Sequence, residues 1–169
     1  MLEKQAKRAF IAIGSNLGDK KLNIELAKSK LQNKLTKIIC TSSYYLTPSW
    51  PNPLNPKFIN IVIEVKTILS PYKLLDLCHF IELELGRKRF EINEPRVCDI
   101  DIIDYDQKII NSNNSSKLTI PHPRIQFRNF VLLPLFEICK NWKHPVNKRY
   151  IAELISFLKT NDLRSIKQI

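Results

Sequence analysis

The chain has 169 residues, 44% of them hydrophobic, and carries a formal charge of +11 at pH 7. That length suits one domain over residues 1–169 with one hydrophobic core; no stretch is apolar for long enough to cross a membrane, and Met1–Arg8 lacks the apolar core of a signal peptide, so a cytoplasmic protein with no membrane partner is expected. The basic excess is compatible with polyanions, but lysine is spread along the whole chain and selects no partner by itself.

In chain order, Phe10–Ile13 predicts a short buried strand that runs into the turn Gly14–Gly18. Asp19 can cap a helix whose apolar positions include Leu22, Leu26, Leu31 and Leu35. Lys37–Thr47 is β-rich and predicts a second strand, and residues 47–56, with four prolines, predict a loop. Phe58–Val65 is the clearest strand, with Ile59, Ile61, Ile63 and Val65 on one face and Phe58, Asn60 and Val62 on the other. Ser70 as cap, Pro71 at the first position and Gly86 as the stop frame a helix. Its apolar side holds Leu74, Leu75, Leu77, Cys78, Ile81 and Leu85, while His79 and Glu82 share another face. Arg96–Ile103 predicts a further strand, Tyr105–Lys108 a turn and Asn111–Lys117 a polar loop. Phe130–Ile138 is almost continuously apolar, and Asn147 can cap a last helix burying Ile151, Leu154, Ile155 and Leu158, so that residues 139–169 form a helical extension. The order β-α-β-β-α-β predicts an α+β, ferredoxin-like sandwich: an antiparallel sheet with helices packed on one face. The scattered Cys40, Cys78, Cys98 and Cys139 form no CxxC pair and read as buried, reduced thiols, with neither zinc nor disulfides required.

The stretch Arg96-Val97-Cys98-Asp99-Ile100-Asp101 carries the strongest chemical signal. On a strand Asp99 and Asp101 point the same way, and two crowded carboxylates repel unless a cation lies between them. A hard divalent ion such as magnesium takes one or two carboxylates together with substrate phosphates. Arg87, Lys88, Arg89 and Arg96 beside them are suited to bidentate bonds with those phosphates, although a solvated basic loop is an equal reading of that cluster alone. His122, set between Pro121 and Pro123, is held rigidly and can bond a phosphate or act as an acid; a structural role is the commoner one for a lone histidine. Trp50 and Phe58 can stack on a flat heterocycle whose edge Asn60 reads, against the alternative of ordinary core packing. The Gly14–Gly18 segment is neither GxGxxG nor a P-loop and reads as a glycine turn.

In this order the pieces resemble the 6-hydroxymethyl-7,8-dihydropterin pyrophosphokinases of folate biosynthesis. The matching segments are Ile11–Gly18, Ser42–Pro48, Phe58–Asn60, Ile81–Arg89, Pro95–Ile103, Leu118–Arg124 and Phe130–Ile138, running from about Phe10 to Ile138. The resemblance implies that ATP gives its β,γ-pyrophosphoryl group to the pterin's hydroxymethyl oxygen and that AMP leaves. It implies that Asp99 and Asp101 bind two magnesium ions and that Arg87, Arg89 and Arg96 surround the phosphates as catalytic groups. ATP would also meet His79, Glu82, Ile102, Thr119, His122 and Arg128, with Ile102 and Thr119 reading adenine through their backbones. The pterin would lie between Phe58 and Phe130 with Asn60 at its edge, near Gly14, Thr47, Pro48, Trp50 and Asp99. A monomer with no nucleic-acid partner is expected. Ile92 stands at a position the family usually gives to arginine and Glu94 at a glycine, implying weaker nucleotide affinity, and Phe127 stands where glutamate is common.

Two other readings compete. A ferredoxin-like nucleic-acid-binding module would need aromatic-rich strand motifs, and with three glycines in the chain no RRM-type match exists. It also leaves paired carboxylates opposed to a phosphate backbone. A catalytically weak paralogue that binds pterin or nucleotide is conceivable from Ile92, but the intact Asp99 and Asp101 oppose it.

Overall fold

The structure is a computed structural model that describes residues 5–50, 52–87, 94–112 and 117–169. Its framework is a sheet in which β1 (Lys7–Ser15) and β4 (Phe58–Thr67) lie side by side, with β5 (Asp99–Tyr105) on the far edge of β1. Two strands share the other edge of β4: β2 (Thr36–Thr41) and β3 (Tyr45–Thr47). A two-residue strand, β6 (Lys167–Gln168), extends the sheet beyond β3, and every pairing is antiparallel.

The two central strands are apolar on both faces, so both faces must be covered. Ile11, Ile13, Ile61 and Ile63 pack against Ile24, Ala27 and Leu31 of α1 (Lys20–Leu31) and Leu74, Cys78 and Ile81 of α2 (Pro71–Glu84). Phe10, Val62 and Ile103 face the other way, onto Val131, Leu132 and Leu135 of α3 (Asn129–Ile138) and Ile151 and Leu154 of α4 (Ile151–Ser156). Each fully buried Ile, Leu, Val or Phe side chain among these contributes about 1.5–3 kcal/mol. The antiparallel α+β sheet is as expected, but its helices cover both faces instead of one, because Phe10, Val62 and Ile103 also need burial.

Asp19 caps α1 as predicted, its Oδ1 accepting from Leu22 N at 3.0 Å. The buried stripe is Ile24, Ala27 and Leu31, whereas Leu22 and Leu26 are exposed and Leu35 lies beyond the helix. The single strand predicted over Lys37–Thr47 divides in two. At the break Ser42 Oγ accepts from Val62 N at 3.0 Å, and Ser43 donates its N–H (3.0 Å) and hydroxyl (2.8 Å) to Glu137 on α3. Ser70 caps α2 by accepting from Lys73 N at 3.3 Å, and Gly86 (φ +90°) stops it in a conformation that suits glycine. The turn after β5 holds Asp106 and Gln107 at φ 53° and 57° and is closed by Lys108 N donating to Tyr105 O at 3.0 Å.

Asn147 does not cap the last helix. Lys148 turns at φ +60°, and Glu153 reaches back to Tyr150 N at 2.9 Å to start α4 three residues later. The extension continues through α5 (Thr160–Ser165) into β6, so it ends in a strand and is not helical throughout.

Cys78 and Cys98 are buried as expected, but Cys40 is exposed and Cys139 half-buried. Burial pushes the Cys98 thiol up to about 12, with Glu82 and Asp99 adding to the rise. Because the thiolate is the reactive form, native protein at pH 8 should alkylate at Cys40 at least about a hundredfold faster than at Cys98. Peptide mapping after a timed iodoacetamide pulse checks this; equal labelling would mean that the layer over Cys98 opens freely.

Candidate active site

Strand alternation places Asp99 and Asp101 on the same face of β5, the face that also carries Ile103. Asp99 is held on both oxygens: Arg87 Nη1 donates to Oδ1 at 2.6 Å and Arg96 Nη2 to Oδ2 at 2.7 Å. Burial opposes its charge, but the Arg96 and Arg87 guanidiniums outweigh that and hold the carboxyl below its usual range. Asp101 Oδ2 accepts from Arg128 Nη1 at 2.9 Å and lies 3.9 Å from His122 Nε2.

The arginines are themselves positioned. Arg87, just past the end of α2, also donates to Glu82. Glu82 is buried and accepts from Ile100 N at 2.7 Å, so it joins the end of α2 to β5. Arg96 lies 5.2 Å from the Phe58 ring and Arg128 5.4 Å from the Phe130 ring. Each of these guanidiniums therefore spans one acid and one aromatic ring. Arg96 Nε is buried without a hydrogen-bond partner among the described residues.

Beside the acids opens a cavity of about 530 Å³, within the usual range for a small-molecule site. Thr47, Pro48, Trp50, Phe58, Asn60, Arg96, Asp99, Arg128 and Phe130 line it, which brings most of the expected heterocycle-binding residues into one space. Asn60 Nδ2 donates to Thr47 Oγ1 at 2.9 Å, which fixes how the amide presents itself. Gly14 pairs with Asn60 across β1 and β4, and a Cβ there would come within 2.6 Å of Asn60 Oδ1. Only glycine leaves the amide in place.

His122 has its backbone N–H on Ile103 O at 3.1 Å, while its Nδ1 accepts from Arg124 N at 3.2 Å. Burial, aided by Arg128 and Arg124, lowers its basicity against the pull of Asp101. At pH 7 the ring is therefore neutral, with its proton on Nε2, facing the acids. Thr119 flanks the Ile110–Ile120 bridge, and Ile102 buries its side chain in the core while its backbone runs along the edge strand. Neither lines the cavity, nor do His79, Glu82, Arg87, Asp101 and His122. His79 is half-buried on α2. Arg89, and with it Ile92, lies outside the described residues.

Sequence reasoning missed Asn16. It is 2% exposed; its Oδ1 accepts from Arg96 N at 2.7 Å, and its Nδ2 donates to Ser49 Oγ at 3.3 Å and Pro56 O at 3.1 Å. It ties the glycine turn to both the proline loop and the arginine segment. A polar amide at the centre of a glycine-bracketed turn was its one signal. Ser49, Arg124, Asn129, Asp162 and Ser165 also line the cavity, as does Phe127.

Among the described residues no cluster of three or more His, Cys, Asp or Glu side chains is able to hold a metal alone. Two carboxylates on one strand face are chemically suited to a hard cation that completes its shell with substrate oxygens. An aromatic-walled cavity beside such a pair of acids and arginines suits a phosphoryl-type transferase.

A family model described as 7,8-dihydro-6-hydroxymethylpterin-pyrophosphokinase matches residues 10–140, and the chain belongs to that family. It is 39% identical to a Bacillus subtilis 2-amino-4-hydroxy-6-hydroxymethyldihydropteridine pyrophosphokinase over 78% of each chain. To the Haemophilus influenzae protein of the same name it is 40% identical over 87% of this chain and 90% of that one. It is also 38% identical to the folic acid synthesis protein fol1 of Pneumocystis carinii, over 93% of this chain but 21% of that protein. Among solved structures, a wild-type HPPK-DHPS from Plasmodium falciparum with pteroate aligns with a TM-score of 0.72 at 19% identity, over 90% of this chain and 42% of that one. The chain thus spans less than half of that fused protein and about a fifth of fol1, and the structural likeness speaks to the fold. Membership makes this chain a pyrophosphokinase of the folate pathway.

Proposed function

We propose that the cleft binds ATP across Arg87, Arg96, His122 and Arg128 and holds 6-hydroxymethyl-7,8-dihydropterin between Phe58 and Phe130. The β,γ-pyrophosphoryl group passes to the hydroxymethyl oxygen: a bond forms from that oxygen to the β-phosphorus, the α–β bridging bond breaks, the hydroxyl proton is released and AMP departs. The observation that carries this reading is the placement of Asp99 and Asp101 on one strand face between the aromatic cavity and the cation cluster.

Asp99 and Asp101 are the residues that would hold two magnesium ions, whose chemistry is to bridge and neutralise phosphate oxygens. The remaining work falls to the chain. Asn60, oriented by Thr47, reads the pterin edge with a donor and an acceptor. Arg87, Arg96 and Arg128 are held near the phosphates by Glu82, Asp99 and Asp101 before ATP arrives, so little ordering remains to be done at binding. Arg96 Nε, without a hydrogen-bond partner among the described residues, supports this, because a phosphate oxygen would satisfy it. His122, neutral with its Nε2 proton facing inward, is a hydrogen-bond donor to phosphate. Arg89 and His79 are assigned to the ATP side by resemblance, as are the backbones of Ile102 and Thr119. Ile92 and Glu94 in place of an arginine and a glycine weaken ATP binding in this reading. The enzyme acts as a single domain and a monomer in the cytoplasm, without nucleic acid; among the described residues no helix is long and apolar enough to cross a membrane.

The test is AMP release from ATP and magnesium with and without the pterin. AMP should appear only when the pterin is present. Folded protein that released no AMP and bound neither ligand calorimetrically would overturn the assignment.

A further inference from the structure

The family match ends at residue 140, yet two residues lining the cavity, Asp162 and Ser165, belong to α5. The segment that carries them is attached at two places. At one end β6 pairs with β3, Gln168 opposite Tyr45 and Lys167 opposite Leu46. Ile169 N donates to Tyr44 O at 2.9 Å, and Gln168 Nε2 to Ser43 Oγ at 2.8 Å. At the other end Asn129 Nδ2 donates to Asp162 O at 2.5 Å and reaches Ser165 Oγ at 3.5 Å.

These attachment points are the two walls of the cavity. Strand β3 ends at Thr47 and runs into Pro48, Ser49 and Trp50, whereas Asn129 opens α3 directly before Phe130. A segment fastened to both walls sets the gap between them. Helix α5 buries no residue and both residues of β6 are exposed, so core packing does not account for the segment's position. Backbone pairing and polar contacts hold it, and such elements open at low cost. Its carboxylate is also chemically suited to the cavity. Asp99 is neutralised by two arginines, but Asp162 has no ion pair among the described residues and can accept from ring N–H groups of a pterin.

We propose that the C-terminal segment, α5 with β6, is a strap that joins the two walls of the pterin cavity, adds Asp162 and Ser165 to its lining and sets affinity for the pterin but not for ATP. The proposal rests on the pyrophosphokinase reading, which wild-type AMP release checks in the same assay. Lys167→Pro in the full chain removes an N–H where β6 pairs with β3, and Lys167→Ala retains it. Lys167→Pro should raise KM for the pterin about tenfold, the loss of roughly one hydrogen bond of positioning, while KM for ATP stays unchanged. Lys167→Ala should restore the wild-type value. An unchanged pterin KM in folded Lys167→Pro overturns the strap even where wild-type activity upholds the reaction. Wild-type protein provides a second readout that needs no variant to fold. In enzyme saturated with magnesium and α,β-methylene-ATP, whose α–β bridge cannot be cleaved, added pterin should slow amide hydrogen exchange across residues 160–169. Exchange there that ignores the pterin also overturns the proposal.

Discussion

Asp101→Asn should lower kcat about a thousandfold and leave the protein folded. The carboxylate and the amide have the same shape, so what is lost is the charge that would hold a divalent cation against the triphosphate. Several kcal/mol of transition-state stabilisation lie in that charge, and about 4 kcal/mol corresponds to about 10³ in rate. Stability should hardly move. The Asp101 and Arg128 side chains are 34% and 17% exposed, and an ion pair so open to solvent contributes about 0–1 kcal/mol. The pterin KM should also hold, because Asp101 does not line the cavity. Steady-state kinetics with a magnesium titration, beside a thermal melt, separates these effects. A kcat near the wild-type value would reduce Asp101 to a partner for Arg128 and remove it from the residues that would hold the metal.

Asn16→Ala should damage the binding of both substrates at once. Three loop segments meet on this amide, and its loss leaves Arg96 N without a side-chain partner and Pro56 O with the Ser49 hydroxyl alone. Both bonds are partly buried, so about 1 kcal/mol each is a fair loss, and a melting temperature lower by about 4–8 °C follows for a chain of this size. The catalytic effect should be larger, with kcat/KM falling about a hundredfold, since shifts of the order of 1 Å in positioning groups cost that much. Asn16→Asp divides the two connections. Its carboxylate still accepts from Arg96 N but cannot donate to Ser49 or Pro56, so the pterin KM should rise while the ATP KM stays near wild type. If both Michaelis constants survived Asn16→Ala, the loops would be positioned by other contacts.

Much of the site was legible because its signals are local. The same-face placement of Asp99 and Asp101 follows from strand alternation within three residues, and it held. The frame of α2, from the Ser70 cap to the Gly86 stop, is likewise written in neighbouring residues. Strand β4 came out as read, with Phe58 and Asn60 turned to the cavity. The α1 stripe was misread because leucines at Leu22 and Leu26 look like a core face, while the sheet took Ile24 and Ala27. Burial is decided by which stripe meets the sheet, and periodicity alone leaves neighbouring stripes in competition. Cys40 was misjudged in the same way, since it lies on a peripheral strand that packing leaves open.

By itself, then, the amino-acid sequence determined the alternating strand faces, the helix caps and stops, the crowded acids beside arginines and the resemblance that names the reaction. Each depends on residues a few positions apart, where backbone geometry leaves few choices. The tertiary structure alone decided that helices cover both faces of the sheet, that Glu82 turns inward to hold Arg87, and that Asn16 reaches Arg96 across 80 residues of chain. It alone brought α5 to the cavity wall. These contacts join segments far apart in the chain, and their partners are selected by shape, burial and hydrogen-bond satisfaction in the folded protein, which no local pattern encodes.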